Sequence, residues 1–247
     1  MTDETPRAPT RRTILAGMAL MATAGPLPAR SETGPAMKHV VLLGDSIFDN
    51  KAYVGSGPDV IKQLGEALPA GWKATLAAVD GATTVDVKTQ LKELPEDATH
   101  LVVSVGGNDA LGHKDFIEEK ASSVAEVLHK LAKVRGEFQK DYRAMLDGVL
   151  AKKLPTAVCS IYEARYEDPD TRKIAATGLT VFNDTIMREV FAHGLPLVDL
   201  RLIFNDDSDY ANDVEPSVKG GAKIARVITE FVTTHDFTQR RSEIYAG

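Results

Sequence analysis

From Lys38 onward, short runs of Val, Leu, Ile and Ala alternate with longer stretches whose apolar residues recur at helical spacing. A parallel sheet covered by helices on both faces demands this alternation. Strands buried on both sides read as continuous apolar runs, whereas each crossover helix needs only one apolar stripe. The predicted strands are Val40 to Leu43, Ala74 to Val79, Leu101 to Val105, Ala157 to Ile161 and Leu197 to Leu200. Helices are predicted over Asp59 to Leu68, Thr84 to Leu94, Ser122 to Lys153, Thr171 to His193 and Val218 to about Thr233. Five strands and five helices in this order predict a three-layer α/β/α, flavodoxin-like architecture around a five-stranded parallel sheet.

Turn residues punctuate the pattern where it needs them: Gly57-Pro58 before the first helix, Pro95 after the second, and Pro155 between the long helix and the fourth strand. At 247 residues and 43% hydrophobic, the chain can bury one full core, and one domain over residues 37–235 is expected. Residues 236–247 have no sustained apolar period in their last part and are expected to form a loosely packed tail. Residues 1–36 are set apart from the fold. Arg11 and Arg12 precede an apolar stretch from Ile14 to Ala24 that ends in Ala22-Thr23-Ala24. This has the form of a twin-arginine-like export signal, implying a periplasmic or secreted protein. The alternative is an over-extended N-terminus with the true start at Met37 and a cytoplasmic location. The apolar stretch is too short to span a bilayer, so no integral membrane segment is expected in the mature protein.

A formal net charge of -6, with no dense Lys/Arg cluster within the fold, argues against nucleic acid as a partner. The charged stretch Lys130 to Arg143 reads as the solvated face of the long helix. Cys159, the single cysteine, cannot form an internal disulfide and is expected as a small buried strand residue.

In an open α/β sheet ligands bind at the carboxyl ends of the strands. Three of those ends carry glycine beside polar residues: Gly44-Asp45-Ser46 after the first strand, Asp80-Gly81-Ala82-Thr83-Thr84 after the second, and Gly106-Gly107-Asn108-Asp109 after the third. A lone Gly-Asp-Ser is an ordinary turn. Three such turns in successive strand-end positions point to one ligand pocket. The glycine after the first strand could also mark a phosphate site, but the turn has neither Gly-x-Gly-x-x-Gly spacing nor a Lys-Ser or Lys-Thr pair.

The segment Val41-Leu42-Leu43-Gly44-Asp45-Ser46 resembles the first block of the SGNH/GDSL hydrolases, Gly81 the glycine of the second, and Gly107-Asn108-Asp109 the third. The resemblance runs from Lys38 to about Phe231. It implies a serine hydrolase that uses no metal or organic cofactor and acts on an ester or acetyl group of a small-molecule substrate. Carried over by position, Ser46 is the nucleophile, while its backbone amide, the amide of Gly81 and the side chain of Asn108 form the oxyanion hole. Asp45 and Asp109 are supporting residues, Asp45 through the turn.

The fourth block departs from the family. An Asp and a His three residues apart are expected before the last helix, the His followed by Pro and then Gly. Here the stretch reads Asn212-Asp213-Val214-Glu215-Pro216-Ser217-Val218-Lys219-Gly220, so Asn212 and Glu215 stand where the family has Asp and His. A serine hydroxyl needs a base, and a carboxylate with an ordinary pKa near 4.3 is a weak one unless its site raises that value. Three readings follow. Glu215 is the base of a Ser-Glu dyad; or the chain is a catalytically impaired binding protein on the same scaffold; or Glu215 is only a residue favoured by the dipole at the start of the last helix, with Ser217 as cap. His113 is the one histidine near a strand-end turn, and an exposed loop position is the simpler account of it. The run Asp206-Asp207-Ser208-Asp209 lacks the glycine and terminal Glu of a calcium loop and reads as solvated. The sequence does not reveal the oligomeric state.

Overall fold

The computed structural model describes residues 37–247; the predicted export signal lies outside them. In chain order the elements are β1 (Lys38–Gly44), α1 (Val60–Ala67), β2 (Trp72–Leu76), α2 (Val87–Gln90), β3 (His100–Ser104), α3 (Gly107–Leu111), α4 (Val124–Leu150), β4 (Thr156–Cys159), α5 (Pro169–His193), β5 (Leu197–Val198), α6 (Leu200–Ile203), α7 (Val218–Thr234) and β6 (Ile244–Tyr245). All strand pairs are parallel, in the order β2-β1-β3-β4-β5-β6. This is the predicted three-layer fold with one strand more than expected.

Alternation along β1 divides the core. Val40 and Leu42 face a layer that includes Val60 and Leu64 of α1 and Ile224, Val227, Ile228 and Phe231 of α7. Val41 and Leu43 face the other layer, where Tyr142, Leu146 and Val149 of α4 meet Phe182, Ile186 and Val190 of α5. Side chains at the helix starts satisfy the first free amides: Asp59 accepts from Lys62 N, Ser123 from Glu126 N, Asp168 from Thr171 N, and Ser217 from Lys219 N and Gly220 N. Cys159 is buried in β4, as expected. No helix among the described residues is long and apolar enough to cross a membrane.

Several expectations need correction. β2 ends at Leu76, not Val79, because Ala77 and Ala78 both donate to Leu42 O and Val79 to Gly44 O, a bulge that turns the chain across the end of β1. The second predicted helix shrinks to Val87–Gln90, since Thr83 and Thr84 donate their amides to Asp86 and Asp109. Leu200 begins α6 because Asp199 caps that helix, accepting from Arg201 N. The tail is not loose at its end: Leu197 N donates to Glu243 O and Asp199 N to Tyr245 O, which makes β6 an edge strand. The charged face of α4 is not wholly solvated, because Arg135 pairs with Asp184 and Arg143 with Glu189, both on α5. Asp209 is fully buried and ion-paired to Lys223 at 2.6 Å, so the Asp206–Asp209 run is anchored at its last residue.

Candidate active site

β1 ends in Gly44 at φ +129, where an added Cβ would lie 1.7 Å from Ser104 O on β3. Only glycine fits there, and the close approach lets the next residues turn across the sheet edge. Gln90 of α2 fastens the turn from behind: its Oε1 accepts from Gly44 N at 2.8 Å and its Nε2 donates to Gly44 O at 2.7 Å. Asp45 Oδ1 accepts from Ile47 N at 3.2 Å, and Asp45 O accepts from Phe48 N and Asp49 N, which fixes Ser46 at the crest. Ser46 is 6% exposed.

The segment before α7 comes to the same place. Ser46 Oγ donates to Glu215 Oε1 at 3.0 Å, across 169 residues of sequence. Glu215 is 8% exposed, and its Oε2 has no hydrogen-bond partner among the described residues. Its side chain therefore serves the strand-end turn and not the dipole of α7, whose cap is Ser217 as expected. Asn212 Oδ1 accepts from both Val214 N and Glu215 N at 2.9 Å, so Asn212 shapes the backbone that presents Glu215. Further ties hold this loop: Ala211 N donates to Glu215 O, the Tyr162 hydroxyl to Val214 O, and Asn50 Nδ2 to Pro216 O, while Asn50 Oδ1 accepts from Val60 N.

The other two turns are stitched to each other. Asp109 Oδ2 accepts from Thr84 N at 2.9 Å, and Asn108 Nδ2 donates to Ala82 O at 2.9 Å. Gly81, at φ +80, sits on the exposed turn beside Ala82. Among the described residues neither Ser46 N–H nor Gly81 N–H is paired with an acceptor. Ser46, Asn108, Asp45 and Glu215 line one cavity of about 940 Å³; Gly81 is not among its walls.

Three carboxyl groups are gathered here without an ion-pairing Lys, Arg or His among the described residues. Burial raises the pKa of all three, because a buried carboxylate loses its hydration. Asp45, 2% exposed, is pushed up to about 8, with the charges of Glu215 and Asp109 adding to the burial effect. Asp109 is raised chiefly by burial, against the amide of Thr84. For Glu215 burial outweighs the hydrogen bond from Ser46, and the charge of Asp80 pushes the same way. Of the histidines only His113 lines the cavity, on an exposed stretch as expected. No group of three His, Cys, Asp or Glu side chains among the described residues is arranged to hold a metal ion.

Two positioning residues escaped sequence reasoning. Gln90 lies inside a predicted helix with nothing to mark it, and Asn50, four residues past Ser46, belongs to no sequence pattern. Both act through backbone groups far away in sequence, which spacing does not reveal.

A parallel sheet layered between helices, with a serine turn and an asparagine turn at the carboxyl ends of its strands, is the arrangement of the SGNH-type hydrolase fold. The chain belongs to the GDSL-like lipase/acylhydrolase family, whose pattern matches residues 42–223. Solved structures share the fold at low identity. An extracellular lipase from Streptomyces rimosus superimposes with a TM-score of 0.55 at 19% identity, covering 81% of this chain and 100% of its own. A lipase from a goat rumen metagenome gives 0.61 at 16%, covering 82% and 100%. A phospholipase A1 from Streptomyces albidoflavus gives 0.54 at 17%, covering 81% and 100%. No curated protein matches the chain.

Proposed function

We propose that the chain is a serine esterase in which Ser46 attacks the acyl carbon and Glu215, in place of a histidine, takes the hydroxyl proton directly. The hydrogen bond from Ser46 Oγ to Glu215 Oε1 at 3.0 Å carries this reading, since a base must reach the proton it removes. Burial of Glu215 supports it. A carboxylate with a raised pKa is a stronger base, and the same group can return the proton to the departing alkoxide. The tetrahedral intermediate gathers negative charge on one oxygen, and the unpaired N–H groups of Ser46 and Gly81 with the Asn108 amide are the donors available to it. Asn212 positions Glu215 and does not itself touch the reacting atoms.

Two observations favour the binding-only reading: the Asn108 amide already donates to Ala82 O, and Gly81 lies outside the cavity wall. Hydrolysis of p-nitrophenyl acetate and butyrate by wild type, Ser46→Ala, Glu215→Gln and Glu215→His separates the two. The esterase reading expects Ser46→Ala to lose turnover and Glu215→Gln to lose about 10²- to 10⁴-fold, the usual worth of a general base. It also expects kcat/KM to rise with pH through a midpoint above the ordinary glutamate value, and Glu215→His to retain activity. Wild-type turnover no faster than that of Ser46→Ala would establish the binding protein instead.

A further inference from the structure

Beside the Ser46 turn lies a second, much smaller cavity of about 20 Å³. Its polar walls are Asp45, Ser104 at the end of β3 and Ser160 just past β4, with Tyr162 and Leu200 among the residues that close it. Each of the three polar residues is more than nine-tenths buried. A cavity must offer about 10 to 15 Å³ to the centre of a water to admit one, and a bound water needs two to four polar partners. Both conditions are met here. Asp45 Oδ1 accepts from Ile47 N at 3.2 Å, and its Oδ2 has no hydrogen-bond partner among the described residues. Ser160 Oγ donates its one proton to Asp199 Oδ1 at 2.8 Å, so toward the cavity it can only accept. Asp199 in turn accepts from Arg201, Oδ1 from Nε at 2.8 Å and Oδ2 from Nη2 at 2.6 Å. Burial opposes its ionisation, but the bonds from Arg201 and Ser160 outweigh it and hold the Asp199 carboxyl below the usual carboxylate range. The titratable groups that face Asp45 are Glu215 from the loop before α7, Asp109 from α3 and Cys159 from β4, and none of them is a cation. Burial pushes the pKa of Asp45 up to about 8, and a buried carboxyl that keeps its proton needs an acceptor for it.

We propose that the small cavity binds one water, which accepts a hydrogen bond from the Asp45 carboxyl and donates one to Ser160 Oγ, and that Ser160 and Asp199 are positioning residues that orient it. The donors then point one way, from Asp45 through the water and Ser160 to the Asp199 carboxylate, and each bond polarises the next. Because Ser160 offers only lone pairs, the water turns a hydrogen toward Ser160 and its own lone pair toward Asp45. That orientation favours the neutral form of Asp45 over the charged one. Asp45 also walls the large cavity, so the water bears on the charge that Ser46 and Glu215 meet. The assignment stands apart from the esterase reading, and its test needs no turnover.

Two measurements on wild type, Ser160→Ala and Ser160→Val test it. High-resolution crystal structures should show an ordered solvent peak within hydrogen-bond distance of both Asp45 and Ser160 in wild type, and none in Ser160→Val, whose added methyl groups take up the space. Carbon NMR of protein labelled at the aspartate carboxyls reads the titration midpoint of Asp45 directly. Ser160→Ala leaves room for the water but frees it to turn a hydrogen toward Asp45, so the midpoint should fall by about one pH unit, tenfold in proton affinity. Ser160→Val removes the hydroxyl and the water together and leaves Asp45 more thoroughly desolvated, so its midpoint should not fall. The absence of a bridging peak in wild type overturns the water site. An unchanged midpoint in Ser160→Ala, or the same shift in both variants, overturns the orienting role of Ser160. If Ser160→Val does not fold, the wild-type peak and the Ser160→Ala midpoint decide the matter by themselves.

Discussion

Relative to wild type, Asp45→Asn should gain stability steadily as pH rises from 5 to 7. Asp45 is 2% exposed, and burial, reinforced by the charges of Glu215 and Asp109, pushes its pKa from 3.8 to about 8. The folded chain therefore keeps a proton on this carboxyl up to about pH 8, while the unfolded chain releases it near 3.8. Between those values the folded state binds more protons, so stability falls as pH rises, and the fall ends once pH passes the folded value. Each pH unit in the window is worth about 1.4 kcal/mol, so moving from pH 5 to pH 7 costs wild type about 3 kcal/mol through this one group. An asparagine at the same place has no proton to lose. Its Oδ1 can still accept from Ile47 N, and any cost of its extra amide hydrogens is the same at every pH. All other titrating groups are common to both proteins, and because Asp45 is neutral through this window they meet an uncharged neighbour in either, so their effects largely cancel in the difference. For a domain of this size, 1 kcal/mol moves Tm by about 2 to 4 °C. The Tm of Asp45→Asn relative to wild type should thus gain about 5 to 10 °C between pH 5 and pH 7, read by circular dichroism at each pH. Parallel Tm curves for the two proteins would show that Asp45 titrates in the ordinary carboxylate range, and the picture of an uncompensated buried acid behind Ser46 would be wrong.

Two further substitutions test separate parts of the structure. Asn108→Ala removes the proposed oxyanion donor and should lower kcat on p-nitrophenyl butyrate by about 10²- to 10³-fold with KM little changed; an unchanged kcat would remove Asn108 from the chemistry. Lys223→Met removes the nearer of two lysines from Asp209, which is fully buried 2.6 Å from the Lys223 Nζ and 4.0 Å from that of Lys219, and should cost about 3 kcal/mol in urea unfolding. Loss of less than about 1 kcal/mol would mean that Asp209 does not depend on this ion pair.

The sequence made the layers legible because each strand is an apolar run and each long helix an amphipathic one, and both signals are local. β6 was hidden for the opposite reason: Ile244 and Tyr245 have no period of their own and join the sheet only through backbone bonds with residues 197–199. The site divides the same way. Ser46 and Asn108 sit in glycine turns after apolar runs, and they line one cavity. Asp209 looked solvated because its neighbours are acidic, whereas Lys223, fourteen residues later, together with Lys219 and the amides of Asn205 and Asp206, explains how it can be buried.

Glu215 draws the two kinds of information together. Its position could be read against the family pattern, but whether a carboxylate is of use there depends on its surroundings, and these come from residues scattered along the chain. Asn212 fixes the backbone at Glu215, while Asn50 and Tyr162 hold the residues on either side of it. Burial then raises the pKa of the carboxyl they present. Burial acts on Asp45 as well, pushing its pKa up to about 8, so Asp45 keeps its proton at neutral pH. Two ionised carboxylates in so little water would oppose each other and the charge that forms on the substrate. In the proposed mechanism a neutral Asp45 spares the site that repulsion, so that a single glutamate can act where the family pattern has an imidazole.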